Sequence, residues 1–241
     1  MTKKIKISLI IPAYNEANYI RQCLESVLKN SHGLLSEIIV VDNASSDKTA
    51  EIAKIFPEVQ VVREEKKGLT WARTKGWKQA RGDVLAYIDA DTKMPAGWCE
   101  MILSEFSKNE NLACLSGPYI YYDVPKWQAI GVKFYWHIFA RMVYFFTKYM
   151  AVGGNFVISR QTLEKMNGFD TSIQFYGEDT DIARRASKFG KVKFNFNFVM
   201  PTSGRRLSGQ GLLKTAWLYA LNFFTEALFK KPATKKYRDI R

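Results

Sequence analysis

The chain has 241 residues, 47% hydrophobic and 14% aromatic, enough to bury a sizeable core within one domain. A formal charge of +13 points to an anionic partner, with nucleic acid, acidic lipid and a phosphorylated small molecule all eligible. Cys23, Cys99 and Cys114 are widely spaced and form no CxxC or Cys/His grouping, which argues against a disulfide framework or zinc site and fits a reducing cytoplasm.

At the N-terminus, "MTKKIKISLIIPAYNE" sets lysines before an apolar run that ends in Pro-Ala-Tyr-Asn-Glu; the run is too short for a signal-peptide core and reads as a strand. Ile20, Cys23, Leu24, Val27 and Leu28 follow at helical spacing. "SEIIVVDNASSDKT" repeats the pattern with a strand at 37–41, an acid-and-serine turn, and a helix through Ala50, Ile52, Ala53 and Phe56. "VQVVREE" is a third strand, "GLTWARTKGWKQARG" a third helix, "DVLAYIDAD" a fourth strand and 96–108 a fourth helix. This alternation predicts an α/β fold, a mostly parallel sheet with helices on both faces. Ligands of such sheets bind beyond the carboxyl ends of the strands, where the chain places Tyr14-Asn15, Asp42 and Asp89-Ala90-Asp91.

After about residue 115 the alternation stops. "LSGPYIYYDVP" is turn-rich, and a long aromatic segment from Pro125 to Met150 follows, with Asp123 or Val124 as its cap and Pro125 in its first turn. Read as one helix, it gathers Lys126, Lys133, His137, Arg141 and Lys148 into an arc of about 80°, and the remaining circumference is nearly all apolar. Those charges break any bilayer span, which takes roughly 20 mostly apolar residues. Residues 151–200 read as short strands around a helix from about Thr180 to Lys188. A second amphipathic helix is expected at 212–229, ahead of the basic tail "KKPATKKYRDIR".

Asp89 and Asp91 follow a buried run, and their i, i+2 spacing at a strand end directs both side chains the same way. Such a pair suits a hard divalent ion such as Mg2+ or Mn2+ that keeps positions open for phosphate oxygens; an ordinary turn of Asx residues explains it equally well. Asp42 ends the second strand, placed to accept hydrogen bonds from a base or ribose, and the hydroxyls and Asp47 of "NASSDKT" can cap the next helix. Neither GxGxxG nor GxxxxGK[ST] occurs, which removes most support for dinucleotide cofactors and P-loop chemistry.

"IIPAYNE", "IIVVDNASSDKT", "KKGLTWARTKGWKQARGDVLAYIDADT", "GGNFVISR" and "GEDTD" resemble, in order and spacing, the family 2 nucleotide-sugar glycosyltransferases of GT-A fold, over about residues 5–190. The resemblance implies an inverting, metal-dependent enzyme whose nucleotide pocket is lined by Pro12, Ala13, Tyr14, Asn15, Glu16 and Asp42. Tyr14 then lies against the base, Asp42 and Arg73 hydrogen-bond it, Asp89 and Ala90 face the ribose and diphosphate, and Asp91 carries Mn2+ or Mg2+. Thr74 departs from the family's common Asn. A UDP-sugar is the donor the resemblance suggests first, with a sugar or lipid-linked saccharide as acceptor, in cell-surface polysaccharide or glycolipid synthesis. The Thr-Ser-x-Arg-Arg segment places Arg205 and Arg206 near the diphosphate, whereas the QxxRW motif of processive synthases is missing.

Glu178, Asp179 and Asp181 precede a basic helical stretch, and acids at a helix start are stabilised by roughly 0.3–1 kcal/mol without any active site. By resemblance Asp179 is the base that takes the acceptor proton, with Glu178 assisting, while Asp181 has no counterpart and is left as a cap or a partner of Arg184 or Arg185. Gly153-Gly154 and Asn155 suit a close ligand approach or simply a bend. Three occupants stay open for the 127–150 segment: an acidic membrane surface bound reversibly from the cytoplasm, a second copy of the chain, or the core beneath a basic exposed face. The chain is divided as 1–115 for the nucleotide, 116–205 for the acceptor and 206–241 for an amphipathic helix and tail. Competing readings are a polyprenyl-phosphate sugar synthase, an inactive sugar-nucleotide binder, and a nucleic-acid-binding protein, the last lacking any recognition motif.

Overall fold

The computed structural model describes residues 4–173 and 177–211, with 217–218, 221–222, 225–226 and 233–234. The first half alternates as its periodicity predicts: β1 (Ile7–Ala13), α1 (Ile20–Asn30), β2 (Leu35–Asp42), α2 (Thr49–Ala53), β3 (Val59–Arg63), α3 (Leu69–Gln79), β4 (Val84–Ile88) and α4 (Trp98–Lys108). The second half supplies β5 (Leu112–Ser116), β6 (Tyr119–Tyr121), β7 (Asn155–Ser159), α7 (Arg160–Lys165), α8 (Glu178–Ala186), β8 (Lys191–Phe194), β9 (Met200–Thr202) and α9 (Arg205–Gln210), with α5 (Lys126–Tyr135) and α6 (Arg141–Thr147) between β6 and β7.

Seven strands form the main sheet in the order β3-β2-β1-β4-β7-β5-β8. β1 to β4 are mutually parallel, and β7 runs antiparallel between β4 and β5. β6 and β9 make a small parallel sheet beside the cleft. Side chains on β1 alternate between two cores: Ile7, Leu9 and Ile11 join Ile20, Leu24 and Val27 of α1 and Trp98 and Ile102 of α4. Ile10 joins Ala72 of α3, Leu163 of α7 and Ile182 of α8 on the other face. Each such isoleucine is fully buried, which stabilises by about 1.5–3 kcal/mol per side chain. The sheet is thus covered on both sides.

Several expectations need correcting. Leu112–Ser116, which the sequence pattern left unassigned, is a fully buried strand. The segment from Pro125 is not one α-helix: a π-helical turn at Trp136–Ala140 separates α5 from α6, and Lys148 leaves the helix in the left-handed region at φ 59°. Pro125 is itself the N-cap, and Asp123 turns away, accepting from the Ser203 hydroxyl at 2.6 Å and from the Gly204 N–H. The segment is not a core helix either, since α5 and α6 bury no residue and the π turn buries only Ala140. No helix among the described residues is long and apolar enough to cross a membrane. The amphipathic helix expected at 212–229 and the basic tail lie largely outside the described residues.

Candidate active site

The cleft begins where β1 and β2 end. Past Pro12 and Ala13 the backbone turns through Asn15 at φ 51°, and past Asp42 through Ala44 at φ 56°, the first a residue that tolerates the left-handed region, the second one that does not. The two loops are laced together: the Ser45 hydroxyl accepts from Asn15 N–H at 3.0 Å, Asn15 Oδ1 accepts from Ser46 N–H at 2.9 Å, and the Thr49 hydroxyl accepts from Glu16 N–H at 2.7 Å. The two serines therefore hold the β1 loop and do not cap α2, whose N-cap, Lys48, makes no side-chain bond. Asp47 does both, accepting from Thr49 N–H at 3.0 Å and from Ala17 N–H of the β1 loop at 3.0 Å.

At the outer end of this edge Asp42 is buried and Arg63 Nη1 donates to its Oδ2 at 2.8 Å. The two residues are paired across β2 and β3, so Arg63 is the carboxyl end of its own strand. Tyr14 lies under a cation, with the Lys67 ammonium 5.0 Å from its ring centroid and 3.2 Å from its hydroxyl. Asn43 fastens the neighbouring loop, donating to the Lys66 carbonyl at 2.7 Å and accepting from Gly68 N–H at 2.8 Å.

Beyond β4 the acids gather. Asp89 Oδ2 accepts from the Tyr119 hydroxyl at 2.8 Å, and Ala90 is buried between it and Asp91. Arg205 Nη2 lies 2.9 Å from Asp91 Oδ2, and its guanidinium grips Glu16 with both nitrogens at 2.9 and 2.6 Å. Burial pushes the Asp91 carboxyl up to about 7, Arg205 opposing and the charges of Asp89 and Glu16 adding to the rise. Burial pushes the pKa of the Tyr121 hydroxyl up, and the Arg206 charge opposes the rise. Asp91 and Glu16 share the single Arg205 guanidinium, which leaves negative charge in excess, and hard carboxylate oxygens there fit a divalent ion. Among the described residues no three acidic, histidine or cysteine side chains converge as a metal cage.

The second group of acids opens α8, after Gly177 at φ 83°. Glu178 is buried and in contact with the Arg73 guanidinium; burial pushes its carboxyl up to about 8, with Arg73 pulling the other way. Arg73 also donates to the Gly153 carbonyl at 2.6 Å. Its guanidinium, expected on the nucleotide base, is thus turned to the α8 acids, being buried at the bottom of the cleft. Asp179 stays partly exposed and accepts from Thr180 N–H at 2.8 Å; burial raises its pKa, with the Thr180 bond and Arg73 opposing. Burial and then the Asp179 charge push the pKa of the Tyr135 hydroxyl up. Asp181 does not cap the helix: Arg184 and Arg185 donate to its two oxygens at 2.7 and 2.8 Å.

One dipeptide joins the two groups. A Cβ on Gly154 would collide with the Asp89 carboxylate and the Tyr119 hydroxyl, and one on Gly153 would stand 2.5 Å from Glu178 Oε1. Glycine is required here because the acids at the β4 end and the acids at the α8 start press on consecutive residues. Asn155, a candidate sugar contact, is instead wholly buried: it donates to the Gly117 and Phe198 carbonyls at 3.1 and 2.6 Å and accepts from Trp98 Nε1 at 3.0 Å. Its polar atoms are engaged by the protein, away from the cleft.

A mostly parallel sheet with acids at its carboxyl edge and a second acidic helix start across the cleft is the GT-A architecture of glycosyltransferases. Residues 8–166 match the family described as Glycosyl transferase family 2, and the chain belongs to that family. It is 36% identical over 107 residues to the glycosyltransferase AglE of Haloferax volcanii, covering 42% of this chain and 35% of that one. It is 32% identical over 113 residues to the dolichol-phosphate mannosyltransferase of Pyrococcus furiosus, covering 45% and 32%. The matched stretch thus spans about a third of the length of each of these relatives. In structure it resembles the mannosyltransferase PcManGT of Pyrobaculum calidifontis in complex with GDP-Man and Mn2+, with TM-score 0.69, 20% identity, and coverage of 95% of this chain and 64% of that one. The glucosyl-3-phosphoglycerate synthase of Mycobacterium tuberculosis, in complex with Mn2+, UDP-glucose and phosphoglyceric acid, aligns with TM-score 0.60, 18% identity, and coverage of 94% and 79%.

Proposed function

We propose that the protein moves one sugar from a nucleoside diphosphate sugar to an acceptor hydroxyl with inversion at the anomeric carbon. The observation that carries this reading is the Gly153-Gly154 junction, which holds the Asp89 end of β4 and the Glu178-Asp179 start of α8 on one cleft. Residues 1–115 are the donor half and 116–205 the acceptor half. Pro12 to Glu16 and Asp42 line the nucleotide site, where Tyr14 offers an aromatic face and Asp42, steadied by Arg63, offers acceptor oxygens. Asp89 meets the ribose and diphosphate. Asp91 would hold a divalent ion, Mn2+ or Mg2+, which when bound offsets the charge that grows on the leaving phosphate oxygens. Support for a divalent ion also comes from the two solved relatives, each in complex with Mn2+. Their donors carry different bases, and UDP is the nucleotide proposed first for this chain.

In the reaction, Asp179 takes the proton of the acceptor hydroxyl as that oxygen bonds to the anomeric carbon. The bond from that carbon to the diphosphate breaks, and its electron pair leaves with the nucleotide. A carboxylate raised by burial yet still partly exposed is suited to this step, because acceptor and base must meet. Glu178 and Arg73 fix the position of Asp179 from below. Arg205 and Arg206 supply positive charge at the diphosphate rim. A sugar or lipid-linked saccharide of cell-surface polysaccharide or glycolipid synthesis is the acceptor proposed.

Asp179→Asn tests this. Transfer to a hydroxyl acceptor is expected to fall by about 10^2–10^4-fold, while nucleotide binding in Mn2+ stays at the wild-type level. Wild-type transfer by the variant would overturn the assignment. The Pyrococcus relative, a dolichol-phosphate mannosyltransferase, favours a second reading in which the acceptor is a polyprenyl phosphate. A phosphate needs no base, so that reading predicts an active Asp179→Asn enzyme on a phosphate acceptor.

A further inference from the structure

The helical segment 126–147 presents an unusual surface. Trp127, Ile130, Phe134, Ile138, Phe145 and Phe146 are exposed, Phe146 to 75%, while the face that packs inward is confined to Ala140 with Trp136, Val143 and Tyr144 against Phe194. Apolar patches of this kind mark an interaction site. Its cations are exposed too: Lys126, Lys133, Arg141 and Lys148 have no carboxylate partner among the described residues, and 125–150 contains no Asp or Glu.

Beside α6 lies an open groove of about 490 Å3, floored by Phe194, Asn195 and Phe196. Arg141 enters it with its guanidinium 4.8 Å from the Phe196 ring, and Lys148 with its ammonium 4.2 Å from the Phe145 ring. Lys193 on the same wall is already neutralised by Glu105, at 2.7 Å. Two positive groups held on aromatic faces, without a counter-charge, border a cavity that opens outward.

We propose that this segment docks on an anionic bilayer, its aromatic side chains entering the interface while Arg141 and Lys148 take lipid phosphates in the groove. The charges select this occupant over a second copy. Two such segments packed face to face would bring cations against cations with no acid to offset them, whereas anionic headgroups supply the missing charge. Aromatic and aliphatic side chains interleaved with lysine and arginine are also what the headgroup boundary favours. The inference rests on the surface alone and stands whether or not the proposed reaction is right.

Co-sedimentation with vesicles of phosphatidylcholine, alone or mixed with phosphatidylglycerol, tests it at low salt. The wild-type protein is expected to pellet with the mixed vesicles and to be released by salt. Arg141→Gln/Lys148→Gln should lower the partition coefficient by about 25-fold, at about five-fold per cation. Phe145→Ser/Phe146→Ser should lower it as well, and both variants should keep the wild-type melting transition. If the aromatic double variant loses that transition, Phe146→Ser alone carries the test. The proposal is overturned if the wild-type protein stays in the supernatant with mixed vesicles, or if the variants pellet as the wild type does. It is also overturned if light scattering shows a wild-type dimer that Phe146→Ser converts to monomer, since a second copy then covers this face.

Discussion

Asp179 and Asp181 stand two residues apart on one helix and end in opposite circumstances. Asp181 is closed off by Arg184 and Arg185, while Asp179 is partly exposed and, among the described residues, accepts only from its neighbour Thr180. A base works as its carboxylate, and burial lifts the Asp179 pKa above the ordinary 3.8. Protonation therefore removes the base at a higher pH than an unperturbed aspartate would, so the acid limb of kcat/KM, to which Asp91 also contributes through its own raised pKa, should lie above 3.8. A pH profile with a hydroxyl acceptor checks this; a limb at or below 3.8 would assign it to another group. The residue scale is also where sequence reasoning was most uneven. The pattern that marks β2 and β4 also puts Asp42 at the end of one and Asp89 and Asp91 just past the other, where the structure has them. Arg63 obeys the same rule at the end of β3 and was not singled out. Asn155 and Arg73 show what a motif leaves out: tertiary packing gives the Asn155 amide to protein carbonyls and brings Arg73 to Glu178 and the Gly153 carbonyl. Tyr119 had no signal at all, since its partner Asp89 comes from another strand's end.

Among elements, β7 and the loop before it do the joining. β7 runs antiparallel to β4, so its N-terminal end, where Asn155 pairs with Ile88, brings Gly153-Gly154 to the acids at the carboxyl end of β4. Gly154→Ala should displace the Asp89 carboxylate and the Tyr119 hydroxyl, lowering stability by about 1–3 kcal/mol from overpacking and weakening nucleotide binding. Denaturant unfolding and nucleotide titration measure the two effects; wild-type values for both would show that the junction tolerates a side chain. The parallel half of the sheet was legible because β-branched runs alternate with helical spacing from Ile7 to Lys108. β5 was not, because Leu112–Ser116 is too short to show a period and runs straight into Gly-Pro. The aromatic segment was legible as helical and amphipathic, but a π turn adds residues without changing composition, so no periodicity reveals it.

At the scale of the whole molecule, the charge of +13 is not spread evenly in its consequences. Part of it converges on the cleft through Arg63, Arg73, Arg205 and Arg206, and part lines the outer helical segment at Lys126, Lys133, Arg141 and Lys148. Arg63, Arg73 and Arg205 of the first group meet buried acids and the second meets none among the described residues, which separates a small-molecule site from a surface site. The central claim is that Asp91, in a cleft that binds a nucleoside diphosphate, makes that binding depend on a divalent ion. Thermal-shift titration with UDP, GDP, CDP and dTDP, with and without Mn2+, tests it on the wild type and Asp91→Asn. Stabilisation of about 2.7 kcal/mol is expected at a ligand concentration 100 times Kd, for one nucleotide, in the wild type with Mn2+ only, and lost in Asp91→Asn. Equal stabilisation without the ion, or its survival in Asp91→Asn, would contradict the account.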